Sequence, residues 1–385
     1  MSSFVSSSKS ADTSLTGSYA SLPVKCMVYG RGCSNSLPSI IAELGASKAF
    51  IITGQSLLEK TPVIKGLQAL LGDAHVGTYA GVRQHAKSRP VAGIEAAIEK
   101  IQQSATDILI SVGGGSPIDT TKAVAYHIHE KTGKWLPHIT IPTTLSVAET
   151  TRVAGFTDAN GHKVSVVHHE MAPKVIVYDA DLTLYTPTRL WLSSAIRAID
   201  HAVELQYHPQ APEVPVKRLC LSALQELFVL LPLCHQSPDD ADIRQRLQIA
   251  TYSALPPFYF TTGLGLSHTI GHVIGATYAI PHGITSCISL AKTVHFKADH
   301  CPEDAKQIAK IVPYIGLSRS GDDTSDAHAV GNAISALVHS LGLKSTLSEF
   351  SVKPSDAETI AARSLKGDEK NSQLPALVEM IRSLL

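Results

Sequence analysis

The chain is expected to fold as an α/β half followed by an all-helical half. Three observations lead there. At 385 residues it exceeds the size at which one hydrophobic core usually suffices. From Leu22 to Asp179, short apolar runs alternate with amphipathic segments, the pattern of a parallel sheet flanked by helices. Beyond Thr186 and Pro187 the strand-like runs vanish and only helical periodicity remains. The boundary is therefore set near residues 185–188. Residues 1–21 are a Ser-rich tail expected to be disordered, 22–186 an α/β domain, and 187–385 a helical domain.

The elements follow in order. Residues 24–30 (VKCMVYG) read as a strand, 36–44 as a helix stopped at Gly45, and 48–53 (KAFIIT) as a buried strand. A helix over 57–71, a strand over 75–79, a helix over 91–104 and a strand over 107–112 (DILISV) continue the alternation. Residues 138–144 (HITIPTT) add a strand, and 156–167 read as a hairpin turning at Asn160 and Gly161. Residues 174–179 return to the sheet. In the second half, 190–205, 216–233, 239–252, 264–279, 284–296, 305–312, 327–341 and 374–385 all carry helical periodicity.

Composition excludes several classes. Hydrophobic residues make up 44% of the chain, and 33 basic residues balance 33 acidic ones. Neither sign dominates, so there is no case for a nucleic-acid or anionic-membrane partner. No apolar run is long enough to span a bilayer, and the N-terminus lacks the apolar centre of a signal peptide. Six cysteines without metal or disulfide spacing suit a reducing cytoplasm.

The most informative stretch is 263–283 (GLGLSHTIGHVIGATYAIPHG). It sets His268 and His272 four apart, hence on one helix face, and places His282 between Pro281 and Gly283. Pro281 stops the helix and Gly283 permits a tight reversal, so the third imidazole can swing back to the first two. Residues 193–205 (SSAIRAIDHAVEL) offer a fourth imidazole, His201, and Arg197 one turn before it. A lone histidine on an apolar helix is more often a packed or surface residue than a functional one. Four at these spacings are expected, with Arg197, to form the floor of an active site.

Two turns in the first half point to a cofactor. GGGSPIDTTKA (113–123) directly follows the strand DILISV. Gly113, Gly114 and Gly115 let a ligand approach the backbone, and Ser116 and Pro117 open a helix whose N-terminus favours a phosphate. The same sequence also suits a plain strand-to-helix turn; Asp119 and Lys122 either face the ligand or serve the helix, and Asp119 is expected to face the ligand. Thr143 and Thr144, in IPTTLSVAETT (141–151), stand at a strand end, where open α/β sheets bind ligands.

Together these residues carry a resemblance. GGGSPIDTTKA, IPTTLSVAE, NGHK (160–163), VIVYDADLT (175–183), AIDHAVE (198–204) and SHTIGHVIGATYAIPHG make the chain resemble the iron-containing (group III) alcohol dehydrogenase family. Within it, the maleylacetate reductases look most similar. The resemblance implies a dehydroquinate synthase-like fold: a Rossmann-like dinucleotide-binding domain, an all-α catalytic domain, and an active site in the cleft. It also implies NAD or NADP as cofactor, a homodimer, and metal ligands falling on His201, His268 and His282, with His272 catalytic.

Departures from the family pattern shape the expectation. Metal-dependent members carry an Asp four residues before the first ligating His, and here that position is Arg197. One charge at about 4 Å is worth roughly 4 kcal/mol at an effective dielectric near 20, so no metal is expected. Asp200, next to His201, is expected to face elsewhere. Arg197 either binds a substrate carboxylate or enol oxygen or pairs with Asp200 or Glu204. In LSVAE, Val147 stands where maleylacetate reductases have a glycine. Gly54 replaces the family's Asp after KAFIIT and leaves room for the 2′-phosphate of NADP.

The expected function is an NAD(P)H-dependent, metal-independent reductase of a small carbonyl or enone bearing a carboxylate or enol. His272 or His268 would be the acid, with His201, His282 and Arg197 around them. An alternative is a non-redox descendant that uses the Arg/His cluster for dehydration, isomerisation or cyclisation. A regulatory protein with a degenerate site is a third.

Overall fold

The computed structural model describes residues 18–82, 91–157, 163–365, 367–368 and 371–385. Most of the expected N-terminal tail and the expected turn at Asn160 and Gly161 lie outside the described residues. Of the tail, Ala20 accepts a 2.8 Å hydrogen bond from the Tyr259 backbone N–H.

The first half alternates β1 (Cys26–Tyr29), α1 (Leu37–Glu43), β2 (Ala49–Gly54), α2 (Gln55–Lys60), α3 (Val63–Leu71), β3 (His75–Val82), α4 (Val91–Gln103), β4 (Ile108–Gly113), α5 (Gly115–Thr132) and β5 (His138–Pro142). It continues with β6 (Val153–Thr157), β7 (Lys163–Val167), β8 (Val175–Tyr178) and α6 (Ala180–Thr183). The single helix expected over 57–71 is two, interrupted at Thr61 and Pro62, because proline cannot continue the preceding turn.

Six strands form one sheet in the order β1-β8-β5-β4-β2-β3, with every pair parallel. Both faces are buried, as a parallel sheet requires. Ile51, Ile110, Ile139 and Val177 join one cluster with Leu37, Ile40 and Ile64. Alternate residues Phe50, Ile52 and Leu109 point the other way, to Ile98, Val124 and Ile128. β6 and β7 make a separate antiparallel pair.

The second half holds α7 (Thr188–Tyr207), α8 (Arg218–Gln236), α9 (Ala241–Ala254), α10 (Leu266–Tyr278), α11 (His282–His300), α12 (Pro302–Ala309), α13 (Asp323–Ser340), α14 (Ala357–Ser364) and α15 (Leu374–Arg382). Ile270, Ile274, Ile288, Ile360, Leu377 and Ile381 form its apolar centre.

The chain divides into two compact units. One is residues 21–187 with 239–249; the other is 1–20, 188–238 and 250–385. The start of α9 joins the sheet unit because its polar face satisfies that unit's carbonyls: Gln245 donates to Tyr178 O, Gln248 to Pro142 O and Arg244 to Thr183 O. Among the described residues, no helix is long and apolar enough to cross a membrane.

Candidate active site

In the sheet unit, β4 lies between β5 and β2, so their C-terminal ends are neighbours. Gly113 stands level with Pro142, and Val112 with Thr53. The residues expected to hold a cofactor, Gly54, Gly113, Gly114, Gly115, Ser116, Thr143 and Thr144, thus gather at adjoining strand ends. Helix α5 starts at Gly115, one residue earlier than Ser116 and Pro117 suggest, with Gly114 as a cap that has no side chain. Gly113 adopts φ +136°, which a side chain rarely tolerates. A Cβ at Gly114 would come within 3.0 Å of Thr144, so the two turns touch because glycine is there. Thr143 and Thr144 are buried, and Thr144 Oγ1 donates to Ser146 Oγ at 3.3 Å.

Val147, set above against the glycine of the maleylacetate reductases, is fully buried and left-handed at φ +55°. Its side chain is packed inward. Lys122 is buried as well: Nζ donates to Ala148 O at 2.6 Å, Thr151 Oγ1 at 2.8 Å and Val153 O at 3.3 Å. Asp119 Oδ1 lies 3.6 Å from that ammonium. Asp119, expected to face a ligand, therefore has a structural partner.

In the helical unit, the four histidines form a line. Ring centroids are 4.4 Å apart for His201 and His268, 6.5 Å for His268 and His272, and 5.7 Å for His272 and His282. The line runs from buried to exposed: His201 and His268 are buried, His272 and His282 are exposed. The reversal before His282 comes from Ala279, left-handed at φ +58°, and not from Gly283. Gly283 lies inside α11, where a Cβ would meet the Ser193 backbone at 2.6 Å; it lets α11 press against α7.

Asp200 does not face elsewhere. Arg197, Asp200, His201 and Glu204 are spaced i, i+3, i+4 and i+7, which is one helix face. All four are buried. Asp200 Oδ2 accepts from Ser286 Oγ at 2.5 Å, Ser267 Oγ at 3.0 Å and Arg197 Nη1 at 3.4 Å. Arg197 Nη1 also donates to Ser286 Oγ at 3.1 Å. A Cβ at Gly271 would sit 3.3 Å from that nitrogen, so α10 leaves the guanidinium its space. Glu204 Oε1 accepts from the Ser267 N–H at 2.7 Å, and Oε2 lies 2.8 Å from His268 Nδ1. These contacts give Arg197 its structural partner, and they give His268 a fixed orientation.

Charge follows geometry. Burial and Arg197 oppose a charged His268, but Asp200 and Glu204 outweigh them and its pKa is raised. Burial, with His268 and Arg197 nearby, pushes His201 well below the usual imidazole range. Two adjacent imidazoles are therefore driven apart, one toward the acid form and one toward the base. His268 Nε2 and His201 Nδ1 are buried and lack hydrogen-bond partners.

The metal set implied by the resemblance does not fit these residues. Position 197 is a guanidinium bound to Asp200, and the nitrogens of His201, His268 and His282 do not gather at ligand distance. Among the described residues one group does: Asp200, Glu204 and His268 bring a donor atom each within 4.8 Å of one another. Glu204 and His268 already share a hydrogen bond, while Asp200 Oδ1 has none. The expectation that Asp200 lies away from this site is corrected. Two buried carboxylates accompany Arg197: of its two readings, pairing with Asp200 is the one seen, whereas the contact of Glu204 with His268 was not anticipated from the sequence.

Residues 25–180 match the model of the iron-containing alcohol dehydrogenases, and 192–383 that of the C-terminal region of the Fe-containing alcohol dehydrogenase family. A maleylacetate reductase of Rhizobium sp. (strain MTP-10005) is 28% identical over 300 residues, 76% of this chain and 79% of that protein. The crystal structure of maleylacetate reductase from Agrobacterium tumefaciens superposes with a TM-score of 0.80 at 23% identity, covering 96% of this chain and 97% of that one. Sulfoacetaldehyde reductase from Bifidobacterium kashiwanohense, solved with NAD+, gives a TM-score of 0.80 at 21% identity, over 95% and 98% of the two chains. The fold, the two matched regions and the histidine-bearing helices identify the chain as a member of the iron-containing alcohol dehydrogenase family, and thus as an oxidoreductase.

Proposed function

We propose that the protein is an NAD(P)H-dependent, metal-independent reductase of a small carbonyl or enone compound bearing a carboxylate or enol. The observation that carries this reading is the line of four imidazoles ending on a buried Arg197–Asp200 pair, at the position where the family's carboxylate ligand is expected. The relatives named maleylacetate reductase and the NAD+ complex of the sulfoacetaldehyde reductase support the reaction class and the cofactor.

The dinucleotide would lie on Gly113, Gly114, Gly115 and Ser116, with Thr143 and Thr144 shaping the turn. The uncapped start of α5 suits its phosphates. Gly54 at the end of β2 leaves space for a 2′-phosphate, which favours NADP over NAD. A bound reduced nicotinamide supplies a hydride to the carbonyl carbon. The residues of this chain then supply the proton. Asp200 and Glu204 favour the cationic form of His268, and an imidazolium beside the nascent alkoxide would donate to that oxygen. His272 and His282, at the exposed end of the line, would return the proton from solvent. Arg197 contributes a fixed positive charge at the base of the site. A homodimer is part of the reading, and among the described residues β1 is an edge strand of the sheet with Tyr29 exposed.

The test is a titration with NADPH and NADH followed by fluorescence, then turnover with maleylacetate and other keto-carboxylates as probes. Micromolar binding with NAD(P)H consumption supports the reading. An absence of binding at millimolar cofactor would instead favour the non-redox alternative, in which the same Arg/His cluster runs acid–base chemistry.

A further inference from the structure

Glu149 has no role in the reaction described above, yet it is one of the most confined acids in the chain. It is fully buried. Oε1 accepts a 2.8 Å hydrogen bond from the Tyr178 hydroxyl on β8, and Oε2 has no hydrogen-bond partner. Its backbone belongs to the turn that rests on the glycines after β4: a Cβ at Gly115 would lie 3.4 Å from Ser146 Oγ and 3.6 Å from Ala148 Cβ. The preceding residues are held tightly, with Val147 in the left-handed region and Ala148 O bonded to the Lys122 ammonium. The charged and titratable groups facing Glu149 are Lys122 and Asp119 from α5 and Tyr178 from β8.

We propose that Glu149 is a positioning residue that makes dinucleotide binding depend on pH: protonated, it leaves the 145–150 turn seated against Gly115, and ionised, it places an unpaired buried charge beneath the cofactor's phosphates. The inference rests on the dinucleotide reading given above. Two physical effects act together. An ionised Oε2 has no donor to satisfy it, so the turn must shift to find one. A negative charge near the start of α5 also opposes the phosphates that the helix terminus attracts. Burial raises the carboxyl to about 7, against which its own backbone N–H, the Tyr178 hydroxyl and Lys122 pull downward, while Asp119 adds to the rise. A carboxyl near 7 changes charge between pH 6 and pH 8.

By linkage, affinity for the anionic cofactor is greatest below that pKa and declines as pH rises through it. The experiment is NADPH and NADH affinity by fluorescence at pH 6 and pH 8, in the wild type and in Glu149→Gln. Glutamine keeps an oxygen for Tyr178 and cannot ionise. The wild type is expected to lose about tenfold in affinity between the two pH values, the effect of roughly 1.4 kcal/mol, while Glu149→Gln changes much less. Comparing the proteins with the same cofactor cancels the titration of the ligand. Tyr178→Phe provides a second handle: losing the donor favours the neutral acid, so the midpoint should move to higher pH. A purely structural role for either side chain would weaken binding equally at both pH values.

Equal pH dependence in wild type and Glu149→Gln, with an unmoved midpoint in Tyr178→Phe, overturns the proposal while leaving the reductase reading intact. Failure of all three proteins to bind either cofactor at millimolar concentration removes that reading, and the proposal with it.

Discussion

Glu204 and His268 meet through a 2.8 Å contact between a carboxylate oxygen and imidazole Nδ1, with side chains no more than 5% exposed. Neither group would be placed there for stability alone, since burying charge costs more than one hydrogen bond returns. The pair makes sense as part of a network in which Asp200 Oδ2, Arg197 and three serines satisfy one another and leave His268 Nε2 and Asp200 Oδ1 without partners.

That network predicts strong coupling. Replacing Arg197 by Asn leaves Asp200 buried without its cation and should cost about 3–5 kcal/mol in denaturant unfolding. The double variant Arg197→Asn/Asp200→Ala should cost clearly less than the sum of the two singles, because the charge and its counter-charge leave together. Additive losses would mean that the two side chains do not interact as described.

Gly283 predicts a steric effect. Adding a methyl within 2.6 Å of the Ser193 backbone forces α11 away from α7, so Gly283→Ala should destabilise by about 1–3 kcal/mol and reduce turnover by displacing His282. Gly66→Ala is the control. It sits in α3 with open space around it, and there the same change should stabilise by roughly 0.5–1 kcal/mol. Thermal melts of both variants decide the matter.

Glu149 predicts a pH dependence of stability. Its carboxyl is raised from 4.5 to about 7 on folding, so the folded state binds the proton more tightly than the unfolded chain. Stability should therefore fall as pH rises from about 4.5 to about 7, by up to about 3 kcal/mol for this one group. Glu149→Gln should flatten that part of the profile and be the more stable protein at pH 8. Urea unfolding at pH 5 and pH 8 measures both.

Much of this was legible in the chain. The alternation up to residue 179 and its loss after 187 separate sheet from helices, because strand and helix periods differ and parallel strands need long apolar runs. The histidine spacing on α10 and the break at Pro281 were readable for the same reason. The carboxylates were legible only as possible partners of Arg197, and their hold on His268 was not, although Asp200 and Glu204 share the face of Arg197 and His201. Adjacency to His201 in sequence suggested that Asp200 points away, while i+3 from Arg197 points it inward. Lys122 and Glu149 were hidden differently. A lysine on a polar helix and a glutamate in a polar turn are normally solvated, and only tertiary packing buries these two. The role given to Gly283 failed because glycine serves a reversal and a close helix contact equally well, and sequence does not distinguish them.

Position 197 also predicts metal behaviour. Arg197→Asp would restore a carboxylate one turn before His201 and remove the positive charge, so the variant should take up zinc or iron more tightly than wild type in equilibrium dialysis. Unchanged uptake in a folded variant would mean that position 197 does not control the charge of this site.

The most direct test of the central claim is NADPH oxidation with a keto-carboxylate before and after exhaustive dialysis against a chelator, with metal content measured on the same sample. The account predicts substoichiometric metal and a rate unchanged by the chelator. Activity that is lost with the metal and restored by iron or zinc would contradict it, and would turn attention to Asp200, Glu204 and His268 as ligands.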